Sequence, residues 1–323
     1  MSAQPVAPWT PPAPAEVPTM YFVGVSTGAS SIRTTFPRWA DELGLDARLE
    51  GIDLPIHAPA ATYRAVTSWL RDDPSSRGAL VTTHKLDLYD ACRDLFDVID
   101  PAARLMGETS CLSKHEGRLV CHAKDPISSG LALEAFVPDG HWQRSDAEAL
   151  LMGAGGSTIA ISWYLTRPER ADRPSRVVVT DTDAARLDAV RRLHEQLGTE
   201  VPVETVLVSA PSDNDAVLGR LRPGALVVNA TGLGKDGPGS PLTDEATFPA
   251  DAIAWDLNYR GDLVFLQQAR RAPGTVHVED GWTYFLHGWT QVIGEVFDVA
   301  IPTSGPTFDA LAAIAAETRG PRP

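Results

Sequence analysis

Apolar residues along this chain come in short continuous blocks separated by amphipathic stretches, and the blocks form two series. In the first series, residues 21–25, 49–54 and 79–82 read as strands; at 21–25 and 79–82 a brief apolar run with polar flanks suits a strand buried on both faces. Helical spacing fills the gaps: 36–43 stopping at Gly44 as a C-cap, 61–70, and 87–95 with Asp87 as its N-cap. Residues 108–113 and 118–122 form two more short strands around a turn at 114–117, and 128–136 returns to a helix. The polar stretch 138–146 then interrupts the rhythm.

The second series is more regular. Strands are expected at 149–152, 176–180, 205–209, 226–229, 252–257 and 275–278, with helices between most of them. Beyond Glu279 the pattern is helical, over 282–296 and 308–317, and no repeat of fixed period runs through the chain. Such alternation predicts an α/β fold in two lobes. Residues 20–139 form an N-terminal α/β substrate-binding lobe, 140–280 a doubly wound, mostly parallel Rossmann sheet, and 281–323 C-terminal helices that pack back on the first lobe. The Pro- and Ala-rich residues 1–19 read as a disordered tail without the pattern of a secretory signal.

Composition narrows what these lobes bind. The 42 acidic residues outnumber the 28 basic ones, for a net charge of −14, which disfavours nucleic acid and an anionic membrane surface as partners. No apolar run approaches the roughly 20 residues that cross a bilayer. Cys92, Cys111 and Cys121 form no CxxC pair and have no zinc-ligand spacing. They read as buried thiols of a cytoplasmic protein without a metal. A small molecule remains as the partner, bound by a monomer or homodimer.

The chemistry begins where the first strand of the second series ends. Residues 149–152 run into Gly153, Ala154, Gly155, Gly156, Ser157 and Thr158, and then into an apolar helix. The first glycine makes a tight turn, the second lets backbone approach a pyrophosphate, and the helix N-terminus presents free N–H groups. Thr158 stands where a third glycine is usual, so the pattern is incomplete, and its strand–turn–helix setting is what marks a dinucleotide site. Asp181, just past the next strand, can accept hydrogen bonds from ribose hydroxyls and repel a 2′-phosphate, which favours NAD over NADP. Its other reading is a capping aspartate.

In the first lobe, the strand at 79–82 delivers Thr83, His84 and Lys85, and the strand at 118–122 leads to Lys124 and Asp125. A lysine at the end of a buried strand is unusual. An ammonium and a carboxylate from two strand ends can hold one alcohol and relay its proton while hydride passes to a nicotinamide. Spacing alone equally allows a structural ion pair. Lys124 reads either as a ligand for a substrate carboxylate or as a solvated lysine. His84 reads as hydrogen-bonded in place, Lys235 and Asp236 either as residues bordering the nicotinamide or as plain loop polarity, and Trp282, Tyr284, His287 and Trp289 mainly as packing.

These residues resemble the shikimate dehydrogenase family. Val81-Thr-Thr-His-Lys85 is similar to that family's Asn-Val-Thr-(Val/Ile)-Pro-(His/Phe)-Lys, and Gly107-Glu-Thr-Ser-Cys111 to its Gly-Ala-Val-Asn-Thr. Gly117-Arg-Leu-Val120 followed by Lys124-Asp125 is similar to Gly-x-Leu-x-Gly-x-Asn-Thr-Asp. Gly153-Ala-Gly-Gly156 matches the cofactor loop, Asn229-Ala-Thr-Gly-Leu-Gly234 with Ser240-Pro-Leu242 matches Asn-Ala-Thr-Pro-Leu-Gly…Ser-Pro-Leu, and Asp256-Leu-Asn-Tyr259 matches Asp-x-x-Tyr. Asp280-Gly281 opens the last helical segment, and the matches run in order from Tyr21 to Phe297.

The resemblance implies Lys85 and Asp125 as the catalytic pair. It implies Ser30, Ser31, Thr83, Ser110, Tyr259 and Gln291 as substrate ligands, and Asn229, Ala230 and Thr231 beside the cofactor. Several of the family's substrate-binding side chains are exchanged here: its Ser-x-Ser falls on Ser30 and Ile32, one asparagine on Ser110, another on Ala123, and its glutamine near Gly288, with Gln291 about one turn later. The basic motif that grips the NADP phosphate falls on Thr180-Asp181-Thr182. The expected reaction is therefore hydride transfer between a nicotinamide, NAD, and a shikimate- or quinate-type hydroxy acid. The alternatives are another cyclitol or amino-substituted ring as substrate, or a non-catalytic NAD-binding sensor.

Overall fold

A computed structural model describes residues 9–235 and 237–319; residues 1–8 of the expected tail and Asp236 lie outside them. The described residues cluster into two compact units, one of residues 9–124 with 289–319 and one of residues 125–288.

The strands of unit 1 are β1 (Thr19–Gly24), β2 (Arg48–Asp53), β3 (Ser76–Val81), β4 (Val98–Ile99), β5 (Cys111–His115) and β6 (Arg118–His122). Its first helices are α1 (Ile32–Leu43), α2 (Ala60–Asp72), α3 (Lys85–Cys92) and α4 (Pro101–Met106). The sheet order is β2-β1-β3-β5-β6-β4, parallel from β2 to β3, antiparallel through β5 and β6, with β4 parallel to β6. Every residue of β1 is buried, as its unbroken apolar run requires. The β5–β6 hairpin turns on Glu116 and Gly117, at φ 51° and 77°, the two left-handed residues a type I′ turn needs.

Two local features differ from expectation. Helix α3 starts at Lys85, with His84 rather than Asp87 at its N-cap, because Lys85 N–H bonds the Thr82 carbonyl and the chain coils directly off β3. Helix α4, too short for periodicity to reveal, is started by Pro101 and by the Asp100 side chain accepting the Ala103 N–H at 2.5 Å.

Unit 2 holds α5 (Asp125–Phe136), α6 (His141–Ser145), α7 (Gly156–Thr166), α8 (Ala184–Leu197), α9 (Pro211–Leu218) and α10 (Val264–Arg271). Its strands are β7 (Ala149–Met152), β8 (Val177–Asp181), β9 (Val203–Leu207), β10 (Leu226–Asn229), β11 (Ala252–Asp256) and β12 (Val276–Glu279). They form one sheet, β12-β11-β10-β7-β8-β9, parallel at every pairing. This is a doubly wound order, with the switch between β7 and β10. The polar stretch 138–146, where the domain boundary was expected, contains α6, and the division between the units falls at Lys124/Asp125. Helix α5 lies so close to α7 that a Cβ on Gly130 would sit 2.2 Å from the Tyr164 ring.

Helix α11 (Trp282–Phe297) passes from unit 2 into unit 1 after Gly288, and α12 (Pro306–Thr318) follows in unit 1. Trp289 meets Phe22 of β1 edge-on at 5.0 Å, and Trp39 of α1 donates its indole N–H to the Leu311 carbonyl of α12 at 2.7 Å. The C-terminal helices thus return to the first lobe. All three cysteines are buried and unbridged. Among the described residues, no helix is long and apolar enough to cross a membrane.

Candidate active-site residues in the two units

In unit 2 the turn after β7 depends on Gly153. Its φ is 96°, and a Cβ there would lie 2.8 Å from the Ala230 carbonyl oxygen, so only glycine fits. Ala230 N–H in turn donates to the Met152 carbonyl at 2.8 Å, joining two stretches expected at the cofactor. Gly155 is the N-cap of α7 without a side-chain cap, and a Cβ on it would meet nothing within 4 Å. The start of α7 at Gly156 and Ser157 is therefore without a side-chain cap, which fits an anionic pyrophosphate. Thr158 replaces the usual third glycine: its fully buried hydroxyl donates to the Gly153 carbonyl.

Asn229 ends β10 and organises the next loop. Its Oδ1 accepts the Thr231 N–H at 3.1 Å and hydroxyl at 2.7 Å, and its amide donates to the Leu233 carbonyl and to Asp256 Oδ2, both at 3.2 Å. Asp256 also accepts the Asn258 N–H at 2.9 Å. Burial pushes the Asp256 carboxyl up to about 7, against the pull of its hydrogen bonds from Asn258 and Asn229. The half-buried Tyr259 packs its ring 4.7 Å from Phe285 and 5.3 Å from Trp282.

Asp181 does not reach outward as expected. Its Oδ2 accepts the Ala154 N–H at 2.6 Å and its Oδ1 the Asp183 N–H at 2.8 Å. Both oxygens serve backbone, so the carboxylate staples β8 to the glycine turn.

In unit 1, Lys85 is half-buried on the first turn of α3, next to exposed Thr83 and buried His84. Burial lowers the His84 pKa, and its Nδ1 lies 2.9 Å from the Tyr63 hydroxyl. The Lys85 carbonyl accepts the Thr109 N–H at 3.2 Å. Ser110, next in the chain, accepts the Lys124 N–H on its hydroxyl at 2.7 Å. Residues 109 and 110 thus tie the backbone of Lys85 to that of Lys124, one peptide bond before Asp125. Asp125 itself is the buried first residue of α5, in unit 2.

Ser30 and Ser31 lie where the short turn Thr27–Ala29 hands over to α1. Ser30 is buried, and the Ser31 carbonyl accepts the Thr34 and Thr35 hydroxyls. Asp53 holds the turn by accepting the Thr27 N–H at 2.8 Å and hydroxyl at 2.6 Å. Gln291 is half-buried on α11.

Sequence reasoning passed over Asp53 and the acids around Lys124. The Lys124 side chain is neither solvated nor turned to a free anion: only 15% exposed, it places Nζ 2.5 Å from Glu295 Oε2. The available signal was that Glu295 is the one acidic residue of α11.

No family model matches the chain. It is similar to the shikimate dehydrogenase (NADP(+)) of Lactococcus lactis subsp. cremoris (strain MG1363), 27% identical over 164 residues, covering 51% of this chain and 54% of that enzyme. The chain thus spans about half the length of that relative. Similarity to the shikimate dehydrogenase (NADP(+)) of Methylocella silvestris extends further, 26% identity over 275 residues, 84% of this chain and 88% of that one. Among solved structures, shikimate 5-dehydrogenase of Thermus thermophilus in complex with NADP(H) and shikimate superposes with a TM-score of 0.67 at 22% identity, over 93% of this chain and 99% of that one. The chain resembles the shikimate dehydrogenases in sequence and shares their fold. The expectation of NAD is corrected by these relatives, named for NADP(+). The physical reason is that Asp181, on which that expectation rested, spends its carboxylate on Ala154 and Asp183.

Proposed function

We propose that this chain is a shikimate dehydrogenase-like oxidoreductase that uses NADP and acts on a ring hydroxyl or ketone of a shikimate- or quinate-type cyclic hydroxy acid. Unit 1 is its substrate-binding unit and unit 2 its nucleotide-binding unit. The observation that carries the reading is the backbone tie through Thr109 and Ser110. It ties the start of α3, which bears Lys85, to the stretch after β6 that leads to Asp125.

Gly153, Ala154, Gly155, Gly156 and Ser157 receive the pyrophosphate at the uncapped start of α7, while Asn229, Ala230 and Thr231 shape the neighbouring loop. Bound NADP supplies the hydride acceptor or donor. Lys85 Nζ takes the proton of the ring hydroxyl on oxidation and returns it on reduction, and the Asp125 carboxylate holds the same hydroxyl and the ammonium. Ser30, Ser31, Thr83, Ser110, Tyr259 and Gln291 line the substrate, with the Ser110 hydroxyl where the family has an amide and Ala123 where it has another, which favours a ligand of altered polar pattern.

The test is a turnover assay with NADP+ against shikimate and quinate, read by reduced-nicotinamide absorbance. Turnover of either acid is expected. Its absence for both, in a chain that binds NADP by calorimetry, would refute the reading.

A further inference from the structure

Around Lys124, unit 1 gathers an unusual density of charge. Glu295 Oε1 lies 3.4 Å from His122 Nε2 and 3.6 Å from His115 Nε2. His122 Nδ1 lies 3.2 Å from Asp100 Oδ2, and its Nε2 lies 2.8 Å from the Ser113 hydroxyl. The fully buried Cys111 thiol adjoins the group, its pKa raised by burial. Burial acts to raise the Glu295 carboxyl, but Lys124, His122 and His115 outweigh it and hold the group below the usual carboxylate range.

The cluster is poorly explained as a simple brace. The Lys124–Glu295 side chains are only 15% and 26% exposed, and a pair taken out of water returns little net stability while fixing geometry tightly. What it fixes is specific. Lys124 is held at its N–H by Ser110 and at its Nζ by Glu295, so the residue before Asp125 is anchored at both ends. Glu295 also stands four residues after Gln291, on the same face of α11. Through Lys124 it is thus linked to Ser110 and Asp125, two residues proposed for the site.

Resting on the function proposed above, we infer that Glu295 is a positioning residue for the reaction. Through Lys124 it fixes the turn from which Asp125 enters α5, and it balances the charge of the lysine that precedes Asp125 in the chain.

Glu295→Gln keeps the size of the side chain and removes its charge. In the shikimate–NADP+ assay its kcat falls about tenfold, the scale of a small misplacement of a reacting group. Its melting temperature falls by a few degrees, since Lys124 loses its charged partner, while its affinity for NADP stays near that of the unaltered chain. The rising limb of its kcat–pH profile moves down by about half a unit, since the unbalanced Lys124 ammonium favours the neutral amine of Lys85. Lys124→Met together with Glu295→Gln returns the limb to its original pH while kcat stays low. Unchanged kcat and pH profile in a folded Glu295→Gln overturn the inference. Should that variant not fold, Lys124→Met must lower kcat and move the limb upward; no change there, or failure of both to fold, is equally fatal. An unaltered chain that turns over neither shikimate nor quinate removes the function and this inference together. An active chain with indifferent variants removes this inference alone.

Discussion

Asp256 in unit 2 and Glu295 in unit 1 are both acids withdrawn from water, yet they are driven in opposite directions. Asp256 has amide partners, Asn229 and Asn258, and burial wins, pushing its carboxyl up to about 7. Glu295 is subject to the same effect, but Lys124, His122 and His115 stand beside it and pull it down. The lesson is that burial sets no ionisation state by itself; the charge of the company does. The contrast extends to the units as wholes. Around the β7 turn, unit 2 is a scaffold of glycines, backbone N–H groups and amides suited to a ligand that brings its own negative charge. Unit 1 supplies charged side chains from the protein.

The contrast predicts a division of labour. The largest effect is expected from Lys85→Ala, which removes the proposed proton carrier from unit 1. Turnover should drop by about a thousandfold while NADP affinity, measured by calorimetry, stays within about twofold. A comparable loss of NADP binding would dissolve the division. Next is Gly153→Ala, a purely backbone perturbation of unit 2 at φ 96° against the Ala230 carbonyl. NADP binding should weaken by roughly thirtyfold, about 2 kcal/mol, and unchanged affinity would show that this turn does not hold the nucleotide.

Two smaller predictions concern pH. The Asp256 carboxyl lies at about 7 in the folded chain against an ordinary 3.8. The folded state therefore keeps the proton longer than the unfolded one, and stability falls as pH rises through that window. Asp256→Asn should be free of this slope, so its stability relative to the unaltered chain should improve between about pH 4 and about pH 7 in denaturant melts. A parallel dependence in both proteins would contradict the assignment. Glu295 has the opposite sign: its lowered carboxyl contributes stability above its ordinary 4.5, lost as pH falls through the lowered value. Lys124→Met should reduce stability near neutrality by about 2 kcal/mol, the scale of a lost hydrogen bond to a charged group, and make the acid loss shallower. A steeper acid transition would mean that Lys124 is not what holds Glu295 down.

The two regions also differed in how much the sequence disclosed. The strands of unit 2 were readable because runs such as Ala149–Met152 and Leu226–Asn229 are buried at every position, and a parallel sheet covered on both faces demands continuous apolar runs. The glycine turn was readable for a related reason: one peptide approaches another too closely for a Cβ. Unit 1 was less transparent. Helix α4 and strand β4 are too short to show a period, and α3 begins on Lys85 because a hydrogen bond to Thr82 continues the coil. Asp181 misled, since an aspartate after the second strand of such a sheet can face a ribose or its own backbone with no difference in local sequence.

The sequence by itself determined the α/β alternation and the glycine turn after β7, and it singled out the residues proposed for proton transfer, because each follows from local periodicity, a steric demand or an ordered set of motifs. Only the tertiary structure decided who accompanies each buried charge. Lys124 and Glu295 are separated by most of the chain, and Asp256 meets Asn229 only because β10 and β11 lie side by side. Those partners fix whether a carboxyl keeps its proton, and partnership at a distance is a property of folding that no run of neighbouring residues encodes.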